Sequence, residues 1–506
     1  MRILTGREIR EAEARANENG LSDYLMMENA GKGCAAKIAE LTDRNGLAVV
    51  LCGKGKNGGD GFVIARYLSS FGYPVCVVRM FDEPSDELSE QMAEILPEEV
   101  AQLNYITGRY DSLNAISEAA VLVDAIFGIG FRGTLPEHVA ELFANYPKYN
   151  ALKVAVDVPS GLTATSTSCA GCYLADYTLS MLCYKPEHVY MPWKAWCGKT
   201  EVVPIGFKTD ERRGLCSFTP REAAAVLPLR PFNAHKGTFG HALIVAGSKN
   251  MPGAAVIAAG GALQAGAGLV TLAFPDCVYP AVTAQLRDCL MLPLATAADG
   301  SIAAANAPAL QSVFAKYTSA AVGCGLTVSD EAAAVLQAML TGFPGTLTVD
   351  ADGINLIARH IHLLENTSGK VILTPHPAEM ARLTGSTALE VNAAREKTAS
   401  DFAKAHRVTV LLKGVNTVVA APDGRIYINP TGSPALSRGG SGDLLTGIVT
   451  ALAAQGLPPF EAACLGAYVH GMAGMIAEQR YTSYAATIGR IGDCLPEAFS
   501  RIMTGT

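Results

Sequence analysis

Charged residues are scarce in this sequence of 506 amino acids, in which Asp, Glu, Lys and Arg make up only 17%, against roughly a quarter in an average chain. With 40 basic and 47 acidic side chains, the formal net charge is −7, and no long basic run occurs. A nucleic-acid-binding surface is usually basic, so we expect no nucleic-acid partner. The 50 glycines and 49% hydrophobic residues instead favour closely packed α/β domains.

Long apolar runs are also rare, and residues 251–274 form the one stretch that is uncharged and long enough to span a bilayer. Because it contains five glycines, one proline and Gln264, we expect a buried helix followed by a strand, and no membrane association. The charged start "MRILTGREIREAEARA" lacks an apolar signal core. The 13 cysteines are scattered along the whole chain, which suits reduced, buried thiols. We interpret the lone CxxC pair, Cys169 and Cys172, as incidental. We therefore expect a cytoplasmic protein.

The length of the chain exceeds what a single core usually supports. Apolar strand-like segments alternate with helical patterns up to a charged, proline-bearing segment at 207–220, and the alternation then begins again. Such alternation predicts parallel sheets covered by helices on both faces. The sequence therefore predicts two α/β domains, 1–212 and 213–506.

A glycine-rich loop, "LCGKGKNGGDG" at 51–61, follows the first apolar strand of the N-terminal domain. It satisfies the pattern G-x-G-x-x-G, but that pattern alone is weak, and no acidic residue clearly ends a second strand about 20 residues later. A Walker loop would have Gly-Lys where this chain has Gly59 and Asp60. Because Asp60 would repel a pyrophosphate, the loop better suits a neutral polar group or a cation beside the ligand.

Polar side chains lie at the ends of three predicted strands of the same domain. Asn57 lies in the glycine-rich loop after the first strand, Asp124 lies at the end of a later strand, and Asp157 and Ser160 follow the next strand. Their amide, carboxylate and hydroxyl oxygens form the donor set of a hard cation. With so few carboxylates, a monovalent ion is plausible. The alternative is that Asp124 and Asp157 only cap the following turns, as Asp often does.

The C-terminal domain contains "GGSGDLLTG" at 439–447. Glycines before an apolar helix leave N–H groups at a helix N-terminus, which bind anions. Asp443, directly after them, can accept a proton from a hydroxyl that attacks phosphorus. The alternative is that Asp443 merely caps the helix.

Four segments together closely resemble the NAD(P)HX epimerase domain, and the resemblance covers about residues 1–210. These segments are "MMENAG" (26–31), "GKGKNGGDGFVIAR" (53–66), "DAIFGIGFRG" (124–133) and "VDVPSGL" (156–162). The family usually has Asn at the position of Lys56.

This resemblance implies a potassium ion at Asn57, Asp124 and Ser160. It also implies that Asp157 is the acid/base that inverts C6 of the hydrated nicotinamide ring. The residues implied in holding the hydrated nucleotide are Lys56, Asn57, Gly58, Gly59, Asp60, Gly128, Ile129, Gly130, Phe131, Arg132, Gly133, Thr134 and Asp157.

Seven segments between about 220 and 500 resemble the ADP-dependent NAD(P)HX dehydratase, which has a ribokinase-like fold. They are "HKGTFGHALIVAGS" (235–248), "MPGAA" (251–255), "GAGLVTLA" (266–273), "DADGINLI" (350–357), "TPHPAEMARL" (374–383), "KGVNT" (413–417) and "NPTGSPALSRGGSGD" (429–443). The loop "GCGLT" at 323–327 departs from the family, which commonly has Pro and a further Gly there.

The second resemblance implies roles for two groups of residues and for a magnesium site. Lys413, Gly414, Val415, Asn416, Thr417 and Gly442 would hold ADP or AMP. Gly325, His376 and Asp443 would contact the hydrated dinucleotide, with Asp443 as the catalytic base, although His376 could instead be packed between its prolines for shape. Asp350 and Asp352 would support the site or hold magnesium through water.

Taken together, these resemblances predict a Rossmann-like three-layer α/β/α domain followed by a ribokinase-like α/β domain. The implied function is repair of hydrated NADH and NADPH: epimerisation of the R and S hydrates, then dehydration of the S hydrate at the expense of ADP. The expected cofactors are potassium, magnesium and ADP as co-substrate, and the expected partners are the hydrates, ADP and further copies of the chain in a homo-oligomer. The alternative is a vitamin or sugar kinase fused to a non-catalytic nucleotide-binding domain.

Overall fold

A computed structural model describes residues 1–82, 86–145, 150–163, 169–209 and 214–505. The chain divides into two compact units, unit 1 (Met1–Glu211) and unit 2 (Arg212–Thr506). The domain boundary expected between 212 and 213 lies outside the described residues and stays a prediction.

Unit 1 is built on a parallel sheet that has seven strands within its described part. The strands are β1 (Ala48–Cys52), β2 (Val75–Arg79), β3 (Ala101–Asn104), β4 (Val121–Ala125), β5 (Leu152–Val156), β6 (Tyr177–Met181) and β7 (Lys199–Val203). Their order is β3-β2-β1-β4-β5-β6-β7, so the direction of winding reverses between β1 and β4. In open parallel sheets, ligands bind beside the carboxyl ends of the strands at such a reversal.

Helices cover both faces of this sheet. They are α1 (Gly6–Glu18), α2 (Asp23–Leu41), α3 (Lys56–Ser70), α4 (Glu87–Glu94), α5 (Arg109–Glu118), α6 (Glu137–Asn145) and α7 (Pro186–Val189). Successive residues of β1 enter different cores: Val50 packs in a cluster with Phe62 of α3, whereas Leu51 packs with Leu142 of α6. The predicted three-layer α/β/α arrangement is confirmed.

Unit 2 contains a mixed sheet with ten strands in its described part. They are β8 (Gly214–Cys216), β9 (His241–Val245), β10 (Leu269–Pro275), β11 (Leu290–Leu294), β12 (Ser319–Val322), β13 (Thr346–Val349), β14 (Lys370–Leu373), β15 (Thr409–Leu412), β16 (Val418–Ala420) and β17 (Arg425–Ile428). The order is β11-β10-β9-β12-β13-β14-β15-β16-β17-β8. Only β16 runs antiparallel to its neighbours among these strands, and the predicted ribokinase-like α/β fold is confirmed.

The helices of unit 2 position one glycine-rich segment at the end of this sheet. They are α8 (Pro220–Val226), α9 (Pro252–Gln264), α10 (Tyr279–Thr283), α11 (Ala307–Val313), α12 (Asp330–Gly342), α13 (Asp352–Arg359), α14 (Pro377–Thr384), α15 (Ala388–Ala393), α16 (Arg395–His406), α17 (Ser441–Ala454), α18 (Pro459–Ala485), α19 (Ile488–Gly492) and α20 (Leu495–Thr504). A Cβ on Gly447 of α17 would lie 2.0 Å from the carbonyl oxygen of Ala258 in α9. This close packing fixes α17, whose first turn carries Asp443.

The stretch at 251–274 that could have been a membrane span is instead α9 followed by β10, as expected. None of the helices in the described ranges is long and apolar enough to cross a membrane. All 13 cysteines are free and ten of them are buried, which agrees with the expected reduced thiols.

Candidate active sites

Unit 1 has a cavity of about 830 Å³ at the carboxyl ends of β1, β4 and β5. Its wall includes Asp157 and Lys185 together with the aromatic rings of Phe81, Phe127 and Phe131. The rings of Phe127 and Phe131 lie 4.7 Å apart. The cavity therefore places ionisable groups beside flat apolar surfaces, which suits a ligand with an aromatic or heterocyclic ring.

The glycine-rich loop packs against neighbouring backbone too closely for any side chain at two of its positions. A Cβ on Gly58 would lie 1.9 Å from the carbonyl oxygen of Gly53, and a Cβ on Gly53 would lie 2.0 Å from that of Ile126. The glycines therefore bring the start of α3 against the 126–128 turn that follows β4.

Asp157, directly after β5, is held in the left-handed region with φ +66°. Its Oδ1 accepts a hydrogen bond from the ammonium of Lys185 at 2.5 Å. Lys185 is only 1% exposed and also donates to the Ser180 hydroxyl (2.8 Å) and the Met181 carbonyl (2.7 Å). Burial acts to raise the pKa of Asp157, but the Lys185 ammonium outweighs it and the pKa is lowered. Asp157 is therefore an ionised carboxylate.

His188 fixes the backbone on either side of this pair. Its Nδ1 accepts from the Lys185 N–H at 3.1 Å, so Nε2 carries the hydrogen and donates to the Asp157 carbonyl at 2.8 Å. Burial lowers the pKa of His188 to about 3. The ring is therefore neutral and holds Asp157 and Lys185 in register.

Asp124 and Ser160, two of the three residues predicted to bind potassium, are in direct contact. The Asp124 carboxylate is fully buried and accepts from the Ser160 hydroxyl (2.6 Å), the Ser160 N–H (2.8 Å) and the Ile126 N–H (3.2 Å). The Ser160 Oγ in turn accepts from the N–H of Phe127 at 2.9 Å. Asp124 thus caps the turn after β4. The capping role that the sequence offered as an alternative is present, and it does not prevent Asp124 from contacting Ser160.

Asn57 reaches the same turn from the other side. A Cβ on Gly128 would lie 3.2 Å from Asn57 Oδ1 and 3.2 Å from Asp157 Oδ2. The Asn57 Nδ2 is buried and has no hydrogen-bond partner among the residues that the structure describes. Burial raises the pKa of Asp124 to about 6, and no described Lys or Arg pairs with it. These oxygen donors and the uncompensated carboxylate fit a hard cation.

Most of the other residues predicted to hold the substrate in unit 1 line the cavity. The lining includes Lys56, Asn57, Asp60, Gly128, Ile129, Gly130, Phe131, Arg132, Thr134 and Asp157. Gly58, Gly59 and Gly133 are not part of it; a Cβ on Gly59 would meet Met27 behind the loop. Lys56 forms an ion pair with Asp23 at 2.7 Å. Sequence reasoning missed Lys185, because nothing in "MLCYKPEHV" marks that lysine as buried.

Unit 2 has a cavity of about 460 Å³ beside the ends of β13, β14 and β15 and the start of α17. Asp350 and Lys413 lie at its base: Lys413 Nζ contacts Asp350 Oδ1 at 2.7 Å, and the Thr446 hydroxyl donates to Asp350 Oδ2 at 2.8 Å. Burial acts to raise the pKa of Asp350, but Lys413 outweighs it and the pKa is lowered. An ionised Asp350 therefore anchors the Lys413 ammonium in the cavity.

Asp443 lines the same cavity from the first turn of α17. The N-cap of this helix is Gly440 and Asp443 lies in its first turn, so Asp443 is not the residue at the N-cap position. Burial and the nearby Asp350 carboxylate raise the pKa of Asp443 to about 6. At neutral pH Asp443 is ionised and is a better proton acceptor than an ordinary aspartate.

His376 lines the cavity and is also the N-cap of α14. Its Nδ1 accepts from the N–H groups of Ala378 (3.1 Å) and Glu379 (3.3 Å), and Glu379 Oε2 accepts from the His376 N–H at 2.8 Å. His376 therefore has a structural role as the cap of α14, and it also faces the cavity.

The residues predicted to hold the nucleotide lie on two sides of this cavity. Lys413, Gly414, Val415, Thr417 and Gly442 line it. Asn416 is not in the lining, and its Nδ2 donates to the Asn429 carbonyl at 3.0 Å. Gly325, predicted to contact the substrate, is also absent from the lining. Its backbone has φ +61°, and a Cβ on Gly325 would lie 2.9 Å from the Cβ of Ala254.

Two further side chains, Arg395 and Asp352, shape the loops of unit 2. Arg395, which the sequence did not mark, donates through Nη2 to the carbonyls of Leu412 (3.0 Å), Lys413 (3.1 Å) and Asn416 (3.1 Å). Asp352 accepts from the Thr327 N–H at 2.9 Å and so supports the loop after β12. Arg395 lies in a helix remote in sequence, and no local pattern signals this role.

Comparisons with known proteins match both units. The sequence model described as NAD(P)H-hydrate dehydratase matches residues 242–496, and the one described as YjeF-related protein N-terminus matches 23–187. The bifunctional NAD(P)H-hydrate repair enzymes Nnr of Moorella thermoacetica and Thermofilum pendens are 35% and 32% identical, each alignment covering 98% of this chain and 96% of the relative. A crystal structure of the ADP/ATP-dependent NAD(P)H-hydrate dehydratase from Bacillus subtilis with ATP and Mg²⁺ is 30% identical, covers 56% of this chain and 97% of its own, and has a TM-score of 0.48. The chain belongs to the family of bifunctional NAD(P)H-hydrate repair enzymes.

Proposed function

We propose that the two activities of this family take place in different cavities. The cavity of unit 1 carries out the epimerisation of NAD(P)H hydrates, and the cavity of unit 2 carries out their ADP-dependent dehydration. The observation that supports the division is that each cavity holds a candidate base beside the carboxyl ends of parallel strands, Asp157 after β5 in unit 1 and Asp443 in the first turn of α17 in unit 2. Unit 1 interconverts the R and S hydrates of NADH or NADPH. Unit 2 converts the S hydrate to the reduced dinucleotide.

In unit 1, Asp157 accepts and returns a proton while C6 of the hydrated ring inverts. Lys185 keeps this carboxylate ionised, and His188 fixes the backbone that carries both. Phe127 and Phe131 supply the flat surface against which the ring lies. The base is thus held in place before the substrate arrives, which lowers the cost of orientation.

In unit 2, Asp443 accepts the proton of the substrate hydroxyl as that oxygen attacks the terminal phosphorus of ADP and AMP leaves. The Lys413 ammonium is a point charge suited to phosphate oxygens, and the N–H groups at the start of α17 favour an anion. Phosphorylation turns a hydroxyl into a good leaving group. Loss of inorganic phosphate then restores the reduced ring.

Metal ions are part of the proposal for both units. We assign potassium to Asn57, Asp124 and Ser160, because they supply oxygen donors around a buried carboxylate that no Lys or Arg of the described ranges pairs with. Potassium there would neutralise Asp124 and stabilise the 126–128 turn. In unit 2, Asp350 and Asp352 would hold magnesium through water, and the ion would neutralise phosphate charge.

Two broader assignments go with this function. The free state of the 13 cysteines supports a cytoplasmic location. The expected homo-oligomer is the second assignment, and light scattering that gives the mass of a single chain would contradict it.

Replacing Asp443 by Asn tests its role as the base of dehydration. The amide keeps the shape of the carboxylate but cannot accept the proton, so dehydration should fall by at least about a hundredfold. Epimerisation, measured by chromatographic separation of the two hydrates, should be unchanged. Dehydration at a near-normal rate would remove Asp443 from the mechanism.

Replacing Lys185 by Met tests the ion pair of unit 1. Loss of the ammonium leaves Asp157 buried and unpaired and raises its pKa, so epimerisation at neutral pH should fall by about tenfold or more. The acidic limb of the epimerisation pH profile should move to higher pH. The exposed Lys199, replaced by Met, is the matched control and should leave the profile in place.

Thermal unfolding followed by circular dichroism reports whether unit 1 of the Lys185 variant still folds, because dehydration belongs to unit 2 and would not reveal a folding defect in unit 1. A variant that folds normally and epimerises with an unshifted pH profile would show that Lys185 does not set the ionisation of Asp157.

The potassium assignment can be tested by crystallising the protein with rubidium in place of potassium. An anomalous peak should lie among Asn57, Asp124 and Ser160, and replacing Asp124 by Asn should abolish it. A peak elsewhere in unit 1, or oxygen contacts of about 2.0–2.1 Å typical of Mg²⁺, would contradict the assignment.

A further inference from the structure

Cys324 lies in the loop after β12, 2% exposed, close to the two aspartates of the unit 2 cavity. Its Sγ is 3.9 Å from Asp350 Oδ2, and one ligand atom from each of Cys324, Asp350 and Asp443 lies within 4.8 Å of the others. The three side chains come from the ends of β12 and β13 and from the first turn of α17. They converge from different rigid elements, so the cluster is preformed.

The charge around the cluster is unbalanced. Lys413 pairs with Asp350 through Oδ1, whereas Asp443 forms no ion pair with any described side chain. Two carboxylates thus face one ammonium in a mostly buried site beside the thiol of Cys324, and an unpaired buried charge is costly. A divalent cation between Asp350 Oδ2, Asp443 and Cys324 would restore the balance.

The chemistry of the donors selects among divalent cations. Mg²⁺ and Ca²⁺ take oxygen ligands, whereas a thiolate combined with carboxylates suits Zn²⁺, which is four-coordinate and accepts both sulfur and oxygen. The Thr446 hydroxyl, bonded to Asp350 Oδ2 at 2.8 Å, would orient that carboxylate as a ligand. Asp350 and Asp443 both line the cavity, which provides an entry path for the ion.

We propose that Cys324, Asp350 and Asp443 bind a Zn²⁺ ion in the cavity of unit 2, and that the bound ion blocks dehydration. Binding displaces the thiol proton to solvent and changes no oxidation state. The fourth coordination position remains for water. Zinc inhibits because it occupies the Asp443 oxygens that would accept the substrate proton; this part rests on the function proposed above, whereas binding of the ion does not.

Cobalt(II) titration of the metal-free full-length protein tests the site directly, because a thiolate ligand gives Co²⁺ a charge-transfer band in the near ultraviolet. The wild-type chain should bind one Co²⁺ with this band, and Zn²⁺ should bleach it. Cys324→Ser should lose the band and bind Co²⁺ at least about tenfold more weakly. Cys277→Ser is the matched control, since Cys277 is exposed and free, and it should keep the band.

A second variant guards against a folding defect in Cys324→Ser. Asp443→Asn retains the thiol, and it should also weaken Co²⁺ binding at least about tenfold. Absence of the band in the wild-type protein, or its persistence in Cys324→Ser, would overturn the zinc site. Zinc that bleaches the band but leaves dehydration at full rate would overturn the inhibition and the role of Asp443 as base, while leaving the site itself supported.

Discussion

Each unit depends on a buried carboxylate–ammonium pair at the carboxyl end of its sheet, Asp157 with Lys185 and Asp350 with Lys413. Such a pair is expensive to desolvate, and removing one partner leaves an uncompensated buried charge that costs about 3–5 kcal/mol. The pair therefore fixes where charge lies in the cavity. In unit 1 the paired carboxylate is itself the proposed base. In unit 2 the pair anchors a lysine, and Asp443, which forms no ion pair with a described residue, has a pKa raised to about 6 by burial.

The continuous apolar strands were predictable, and with them the polar residues at their carboxyl ends. β1, β4 and β5 read clearly from the sequence, and because parallel strands end at one edge of a sheet, Asn57, Asp124, Asp157 and Ser160 could be expected together. Strand β3 is short and mostly exposed, so it carries no such signal. Lys185 follows β6 in an irregular segment. It is buried by contacts with Asp157, which is 28 residues away in the sequence, and with Ser180, which is 5 residues away, and neither spacing follows a helix or strand period.

The two departures from the family patterns have different structural consequences. Lys56 is exposed and pairs with Asp23 of α2, so an acidic neighbour accommodates the cation at the rim of the cavity. Cys324 is buried and places sulfur against Asp350, so it changes the donor chemistry at the base of unit 2. Sequence alone showed both substitutions but not which one alters a site, because that distinction rests on burial and on the elements that surround each residue.

We propose that repair takes place at two separable sites linked by a diffusible intermediate, and mixing two variants that each lack one activity tests this most directly. Asp157→Ala with excess ADP should consume the S hydrate and leave the R hydrate to its slow spontaneous conversion, whereas Asp443→Asn should epimerise without dehydrating. Their equimolar mixture, followed by the absorbance of the reduced nicotinamide, should consume both hydrates completely. If the mixture leaves the R hydrate behind while each variant keeps its other activity, substrate must pass directly between the two sites of one chain. That result would contradict two separable sites linked by a diffusible intermediate.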